Sequence, residues 1–425
     1  MNSNYNIKTE CRCCKSKNLN EVLDLGEHPL ANSYHFGTND LARYPLKLNV
    51  CTDCFHCQLS IVVNPDGMFK HYSYQSGISK TFNKYCEWFS EYVEDNISKI
   101  GSVLDIACND GTQLEKFKKR GWRTFGIDPA TNLKEKSKQH AEQIIDEYFN
   151  IDSIDKLSIK QFDAITAQNV FAHLDDVDQF LQDCKIIMTD NSRLYIQTSQ
   201  ANMIDDRQFD TIYHEHLSYF SVRSMKTLCE RNNLLLLDVS INPIHGESYI
   251  FVIGKTGKIN QSVNSMIDVE SKNGRYLIET YKIYAKAVYA IIENANAIIN
   301  EYMKNGYLIV GYGAAAKANT FLNFSKIKPH FIIDDTPTKQ EKLTPGTNCM
   351  IMNRKFIEKL TNNVLFITLA WNFHDELKSN IEESLSYTKF AKRFSYKIMR
   401  YYPDIEVSSL NIRSNPNSEV LHHPV

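Results

Sequence analysis

One pattern occurs twice in this chain of 425 residues: an apolar strand, a tight turn, a helix, and a second strand ending in an acid. The first copy is Ser102-Val103-Leu104-Asp105-Ile106-Ala107, the turn Cys108-Asn109-Asp110-Gly111-Thr112, a helix over Gln113 to Arg120, and Thr124-Phe125-Gly126-Ile127 closing on Asp128. The second is Tyr307-Leu308-Ile309-Val310, the turn Gly311-Tyr312-Gly313-Ala314-Ala315-Ala316-Lys317, a helix, and His330-Phe331-Ile332-Ile333 closing on Asp334-Asp335. A strand that returns to its sheet through a helix runs parallel to its predecessor. The fold class is therefore α/β with two parallel sheets, each offering a ligand site at its carboxyl edge. The length agrees, since one core does not grow to this size.

The first copy is the arrangement that binds an adenine nucleoside, with Asp128 positioned for the ribose hydroxyls. Its turn holds Asn109, Asp110 and the single glycine Gly111, which leaves little room for a pyrophosphate. A ligand without one, S-adenosylmethionine, fits better. A third strand, Phe162 to Ala167, leads to Asn169 and His173 at the same edge. His173 reads either as a residue facing the cofactor or as a local helix cap. In the second copy, small residues let the backbone approach a phosphate, and Lys317 adds charge. Between the copies, Asn260 to Tyr302 lacks proline and predicts a connecting helix or helical pair.

Six of the eleven cysteines lie within the first 57 residues. Cys11-x-x-Cys14 and Cys51-x-x-Cys54 form two knuckles that can close a tetrahedron of thiolates around a structural zinc. Cys13 and Cys57 compete for these roles, because Cys54-x-x-Cys57 is also a knuckle. A four-cysteine site admits a different class of function, a zinc-ribbon RNA-binding or RNA-modifying protein. The segment Leu23 to Leu30 lacks the basic, aromatic-interleaved stripe such a protein needs.

The formal charge of −2 offers no global attraction to nucleic acid or to an anionic membrane. No apolar run reaches the roughly 20 residues that span a bilayer, and the N-terminus shows no secretory pattern. A cytoplasmic enzyme is expected.

Tyr213-His214-Glu215-His216 packs a phenol, a carboxylate and two imidazoles into four positions. Such groups exchange protons, as an enzyme must when it makes a carbanion beside a carbonyl. The plainer reading is a polar loop with one satisfied core histidine.

Taken together, these motifs resemble the sugar C-methyltransferases that act on nucleotide-linked 4-keto-6-deoxy sugars. The likeness covers nearly the whole chain. It includes both cysteine knuckles, Leu25 to Asn32, Tyr72-Ser73-Tyr74 with Ser76 and Ser79, and Asn109-Asp110-Gly111. It continues through Gly126 to Pro129, Asn169 to His173 and Tyr213 to His216, and ends with Gly311 to Lys317, Leu343 to Thr347 and Ala370 to Phe373. The resemblance implies a zinc-binding domain over residues 1–75, a Rossmann-like class I methyltransferase domain over 76–255, a helical connector over 256–302 and a second Rossmann-like domain over 303–425 that holds a dTDP- or GDP-linked sugar. It also implies methylation of carbon 3, with His216 as the base and Tyr213, Glu215 and His173 beside it. Tyr74, Ser76, Asp105, Asn109, Asp110, Gly111, Asp128 and Asn169 would bind S-adenosylmethionine. Tyr72, His214, Tyr312, Lys317, Asn319 and Trp371 would bind the sugar nucleotide, and the protein would act as a monomer. Methylation of a sugar oxygen or amine is the alternative, and it needs no base that makes an enolate. The chain departs from the family where Gly246-Glu247-Ser248-Tyr249-Ile250 replaces Gly-Gly-Ser-x-Arg, and Gln197 stands where an acid is common.

Overall fold

Alternation of apolar and polar residues builds the N-terminal strands. In β3 (Tyr44–Cys51) Leu46, Leu48 and Val50 are buried while Lys47 and Asn49 face partly outward, the period-two pattern of a sheet with one covered face. This strand lies in a four-stranded sheet with β2 (Leu19–His28), β4 (Cys57–Leu59) and β11 (Ser218–Tyr219), in the order β11-β4-β3-β2. A separate ribbon pairs β1 (Tyr5–Ile7) with β5 (Ile61–Val63). The computed structural model describes residues 4–37, 41–64, 68, 77, 80–97, 99–199, 202–388 and 393–411.

The first repeat of the sequence pattern forms a seven-stranded sheet. Its strands are β6 (Ser102–Ile106), β7 (Arg123–Ile127), β8 (Gln143–Ile145), β9 (Phe162–Gln168), β10 (Met188–Ser199), β12 (Leu235–Asn242) and β13 (Ser248–Gly254), in the order β12-β13-β10-β9-β6-β7-β8. The five strands from β8 to β10 are parallel, and β13 runs antiparallel to both of its neighbours. Every residue of β6 is buried, as a central strand covered on both faces requires. On one face the helix Lys80–Asp95 packs Phe82, Tyr85, Phe89 and Val93 against Tyr195, Ile250 and Val252. On the other, helices Val177–Ile187 and Val222–Arg231 cover Leu104, Ile106, Phe125 and Ile165. Strand order reverses between β6 and β9, so their carboxyl ends flank the crevice where such sheets take ligands.

The second repeat forms a six-stranded sheet from β14 (Leu308–Tyr312), β15 (Phe331–Ile333), β16 (Ile351–Met352), β17 (Val364–Thr368), β18 (Tyr396–Arg400) and β19 (Glu406–Ser409). Its order is β16-β15-β14-β17-β18-β19, parallel throughout except for the edge strand β19. Here the reversal falls between β14 and β17. The expected helical pair is present as Gln261–Lys272 and Ile278–Lys304.

The chain forms two compact units. One holds residues 1–23, 47–203 and 215–281, and the other holds 24–46, 204–214 and 282–425. One of the boundaries therefore falls between His214 and Glu215, inside the polar cluster. No helix among the described residues is long and apolar enough to cross a membrane.

Candidate active site

The loop after β6 is bent by left-handed residues, with φ of 59° at Ala107, 51° at Asn109 and 80° at Gly111. Glycine is required at position 111, where a Cβ would lie 2.8 Å from the Ser137 Cα. The loop is fixed by carboxylates that take its amides. Asp128 accepts from the Asn109 amide at 2.8 Å and the Ala130 amide at 2.7 Å, and burial raises its pKa. Asp110 receives the Thr112 hydroxyl at 2.6 Å and the Gly77 amide at 2.9 Å. Asp105 lies beneath the loop, where burial pushes its pKa up to about 7 against the 2.6 Å hydrogen bond donated by Thr166. That contact from β9 was not apparent in the sequence, because Thr166 sits in an otherwise apolar strand. Each carboxylate of Asp110 and Asp128 has two oxygens with four acceptor sites, so Asp128 keeps capacity for ribose hydroxyls after holding the loop. The loop residues thus fit a nucleoside with no pyrophosphate.

At the end of β9, Asn169 is also left-handed, with φ of 52°. Its amide donates to the Gln197 side-chain oxygen at 3.0 Å, and the Gln197 amide donates to Ser248 Oγ at 2.7 Å. Gln197 therefore uses one acceptor and one donor at once, which a carboxylate could not. The turn Phe171–His173 follows, pinned by the fully buried Phe171. Its Ala172 carbonyl accepts the Leu217 amide at 2.8 Å, and the Leu217 carbonyl accepts the Leu59 amide at 3.0 Å. These bonds place His216 on His173, with ring centroids 5.1 Å apart at 68°. Burial lowers the pKa of His173 to about 4, so this imidazole is neutral at physiological pH. His216 is buried, and the Tyr219 ring also lies edge-on to it, with centroids 6.4 Å apart. The structure thus brings Asp105, Asn109, Asp110, Gly111, Asp128, Asn169, His173, Glu215 and His216 into one unit.

Tyr213 and His214 belong to the other unit. The His214 Nε2 lies 3.2 Å from the Pro45 carbonyl and its ring packs edge-on against Tyr44, while burial holds its pKa at about 4. A small cavity joins Tyr213, His214 and Asn319. In the same unit, Tyr312 donates to Asp335 at 2.7 Å, and Lys317 lies over the Trp371 ring at 4.6 Å. Tyr72, Tyr74 and Ser76 lie outside the described residues.

At the N-terminus, the sulfurs of Cys11, Cys14, Cys51 and Cys54 all lie within 4.8 Å of one another, and the Cys11–Cys54 and Cys14–Cys51 pairs are 3.5 Å apart. Four thiolates about 2.3 Å from a tetrahedral zinc would be about 3.8 Å apart, so the donor set fits the ion. Cys13 and Cys57 are buried outside this group.

Comparison with known proteins gives the same order of parts. Residues 11–69 match a family model described as "Putative zinc binding domain", residues 78–239 a "Methyltransferase domain", and residues 243–391 a "C-methyltransferase C-terminal domain". The C-methyltransferase NovU of Streptomyces niveus is 26% identical over 395 residues, covering 88% of this chain and 93% of that protein. A ubiquinone biosynthesis O-methyltransferase of Coxiella burnetii is 28% identical over 116 residues, 26% of this chain and 50% of its own. Among solved structures, an S-adenosylmethionine-dependent methyltransferase from Clostridium acetobutylicum aligns with a TM-score of 0.34 and 14% identity, over 41% of this chain and 92% of its own.

The central sheet with its glycine-poor nucleoside loop, and the domain that matches it, define an S-adenosylmethionine-dependent methyltransferase. Zinc is its second cofactor. A zinc domain before that sheet and a C-methyltransferase domain after it, with a likeness to NovU along most of its length, make the chain similar to C-methyltransferases from end to end of the matched region.

Proposed function

We propose that the protein methylates carbon 3 of a nucleotide-linked 4-keto-6-deoxyhexose, with His216 as the base. The observation that carries this reading is the imidazole pair His173–His216 in the same unit as the nucleoside loop. A proton alpha to a ketone is weakly acidic, and imidazole titrates near the pH at which such a proton must be taken. The enolate oxygen formed by its loss needs a donor, and a neutral His173 can donate one hydrogen bond without lowering the basicity of His216 by its charge. Tyr213, three residues before His216, is the other candidate donor, and Glu215 orients an imidazole or holds a sugar hydroxyl. When bound, S-adenosylmethionine supplies an electrophilic methyl group. Asp105, Asn109, Asp110, Gly111, Asp128 and Asn169 fix its orientation, and zinc at Cys11, Cys14, Cys51 and Cys54 is structural. The sugar nucleotide is held by Tyr312, Lys317, Asn319 and Trp371.

The test offers dTDP- and GDP-linked 4-keto-6-deoxy sugars with methyl-labelled cofactor and locates the label by NMR. Label on carbon 3 is expected, whereas label on oxygen or nitrogen would defeat the reading. Replacing His216→Asn is expected to lower transfer by at least about 10²-fold, the range a positioned base supplies. The variant should also stop deuterium exchange at carbon 3 when the cofactor is omitted. Retained exchange would remove His216 as the base.

A further inference from the structure

Arg12 lies inside the first knuckle, between Cys11 and Cys14, and its side chain is only 1% exposed. Its donors reach out of the knuckle. The backbone amide donates to Gln58 Oε1 at 2.8 Å, and Nη1 donates to the Leu59 carbonyl at 3.1 Å and the Leu217 carbonyl at 3.3 Å. Nε donates at 3.3 Å to Oδ1 of Asp175, two residues beyond His173. One planar guanidinium thus joins the strand β4, the residue after His216 and the end of the His173 turn. All of these belong to one unit.

The second knuckle reaches the same place. β4 starts three residues after Cys54 and pairs with β11, with Ser218 opposite Gln58 and Tyr219 opposite Cys57. His56 Nε2 lies 3.2 Å from Ser218 Oγ, and the His56 ring packs on Phe220 at 4.8 Å. Two knuckles closed on one ion therefore hold residues 217 to 220, directly after His216. Stability alone does not account for Arg12. Its Nη2 is buried with no hydrogen-bond partner among the described residues, and Asp175 is 40% exposed. A buried charge so incompletely satisfied is often matched or bettered by well-packed apolar residues. An apolar residue could not hold two carbonyls and a carboxylate at once. Nor could lysine, a point charge on a flexible stem, replace the rigid fork of a guanidinium.

The main chain just after His216 is pinned on both sides of Leu217. The Leu217 amide donates to the Ala172 carbonyl at 2.8 Å, and its carbonyl accepts from the Leu59 amide at 3.0 Å and from Arg12. We infer that Arg12 is a positioning residue for the imidazole pair: it fixes the Leu217 carbonyl and so aims His216 at His173. This rests on the reading of His216 as the base. It also gives the zinc site a bearing on the reaction that owes nothing to the metal's own chemistry, because the thiolates hold in place the residue that holds the base.

NMR of the histidine Cε1–Hε1 groups in the full zinc-loaded chain tests it, with the two rings assigned through His173→Asn and His216→Asn. Arg12→Lys is expected to keep its zinc and its affinity for S-adenosylmethionine while both resonances shift. Deuterium exchange at carbon 3 of dTDP- and GDP-linked 4-keto-6-deoxy sugars, with the cofactor omitted, should slow by about 10- to 100-fold at saturation, the cost of displacing a reacting group by about 1 Å or less. KM for the sugar should stay unchanged. A residue that served folding alone would lower the melting temperature and move neither the resonances nor the saturated rate. Asp175→Ala, at a half-buried position, keeps the guanidinium and releases its Nε. It should shift the same resonances less, and it decides the question if Arg12→Lys does not fold. Unmoved resonances and an unchanged exchange rate in the variant that folds, or a defect in Arg12→Lys that tracks loss of its zinc, overturns the inference. If His216→Asn retains exchange while Arg12→Lys moves the His216 resonance, the base assignment fails and Arg12 keeps its role toward His216. If His216→Asn abolishes exchange while Arg12→Lys changes neither resonance nor rate, the inference alone fails.

Discussion

Glu247 is the residue most at odds with its backbone. It has φ of 97° directly after Gly246 at 92°, a region that costs a residue bearing a Cβ roughly 1–2 kcal/mol. The resembling family has glycine here, and the geometry explains why. Glu247→Gly should relieve the strain, partly offset by the greater freedom of glycine in the unfolded chain. A net gain of about 1 kcal/mol is expected, read as a melting point about 2–4 °C higher. An unchanged or lower midpoint would show that the carboxylate makes a compensating contact. The departure itself was visible in the sequence, but its consequence was not, because φ at this position is set by the turn between β12 and β13. Ile250, where the family has arginine, is fully buried against Phe89, Tyr195 and Val252. Its apolar side chain therefore belongs to the core beneath the sheet, which reading along the strand could not reveal.

At the scale of elements, strand and helix identities followed from apolar periodicity, while the devices that lock elements together did not. Helix Val222–Arg231, just after the His216 segment, starts with a capping box formed by Ser221 and Ser224, which is legible locally. Its first amides are also taken by Glu270, 48 residues later, whose two oxygens receive the Val222 amide at 2.9 and 3.1 Å. The same buried carboxylate accepts the Tyr249 hydroxyl at 2.9 Å, accepts the Tyr276 hydroxyl, and faces Arg275 at 3.5 Å. No spacing rule connects an acid on one helix to the start of another so distant in the chain. Glu270→Ala would leave these donors and the Arg275 charge buried without their acceptor. A loss of about 3–5 kcal/mol in urea unfolding is expected, and Glu270→Gln, which keeps one acceptor, should lose less. A loss below about 0.5 kcal/mol for the alanine variant would mean that water reaches the site and replaces the carboxylate.

Across the whole molecule, the two parallel sheets were legible, because a strand–turn–helix–strand pattern with a terminal acid admits few topologies. The boundary inside Tyr213–His216 was not, since it depends on contacts made far along the chain. Burial also sets a property no local pattern shows, the response of stability to acid. His28, His173 and His214 are held at about 4 and His56 at about 3 by desolvation, below the usual 6.5. Each binds a proton more readily when unfolded, so stability is present above pH 6.5 and is lost as pH falls toward 4. Asp105, raised to about 7, acts in the opposite sense, since in that range the folded state holds the extra proton. Four protons against one leave the unfolded chain with nearly three more bound at pH 5, so stability should fall by about 3–4 kcal/mol per pH unit there. His28→Gln keeps a donor for the Leu25 carbonyl, which lies 2.8 Å from the His28 Nε2, but cannot titrate. It should cut that slope by about a third, measured as urea unfolding free energy between pH 5.5 and 4.5. If the variant and the wild type lose stability with the same slope, His28 is protonated in the folded protein and burial does not govern its charge.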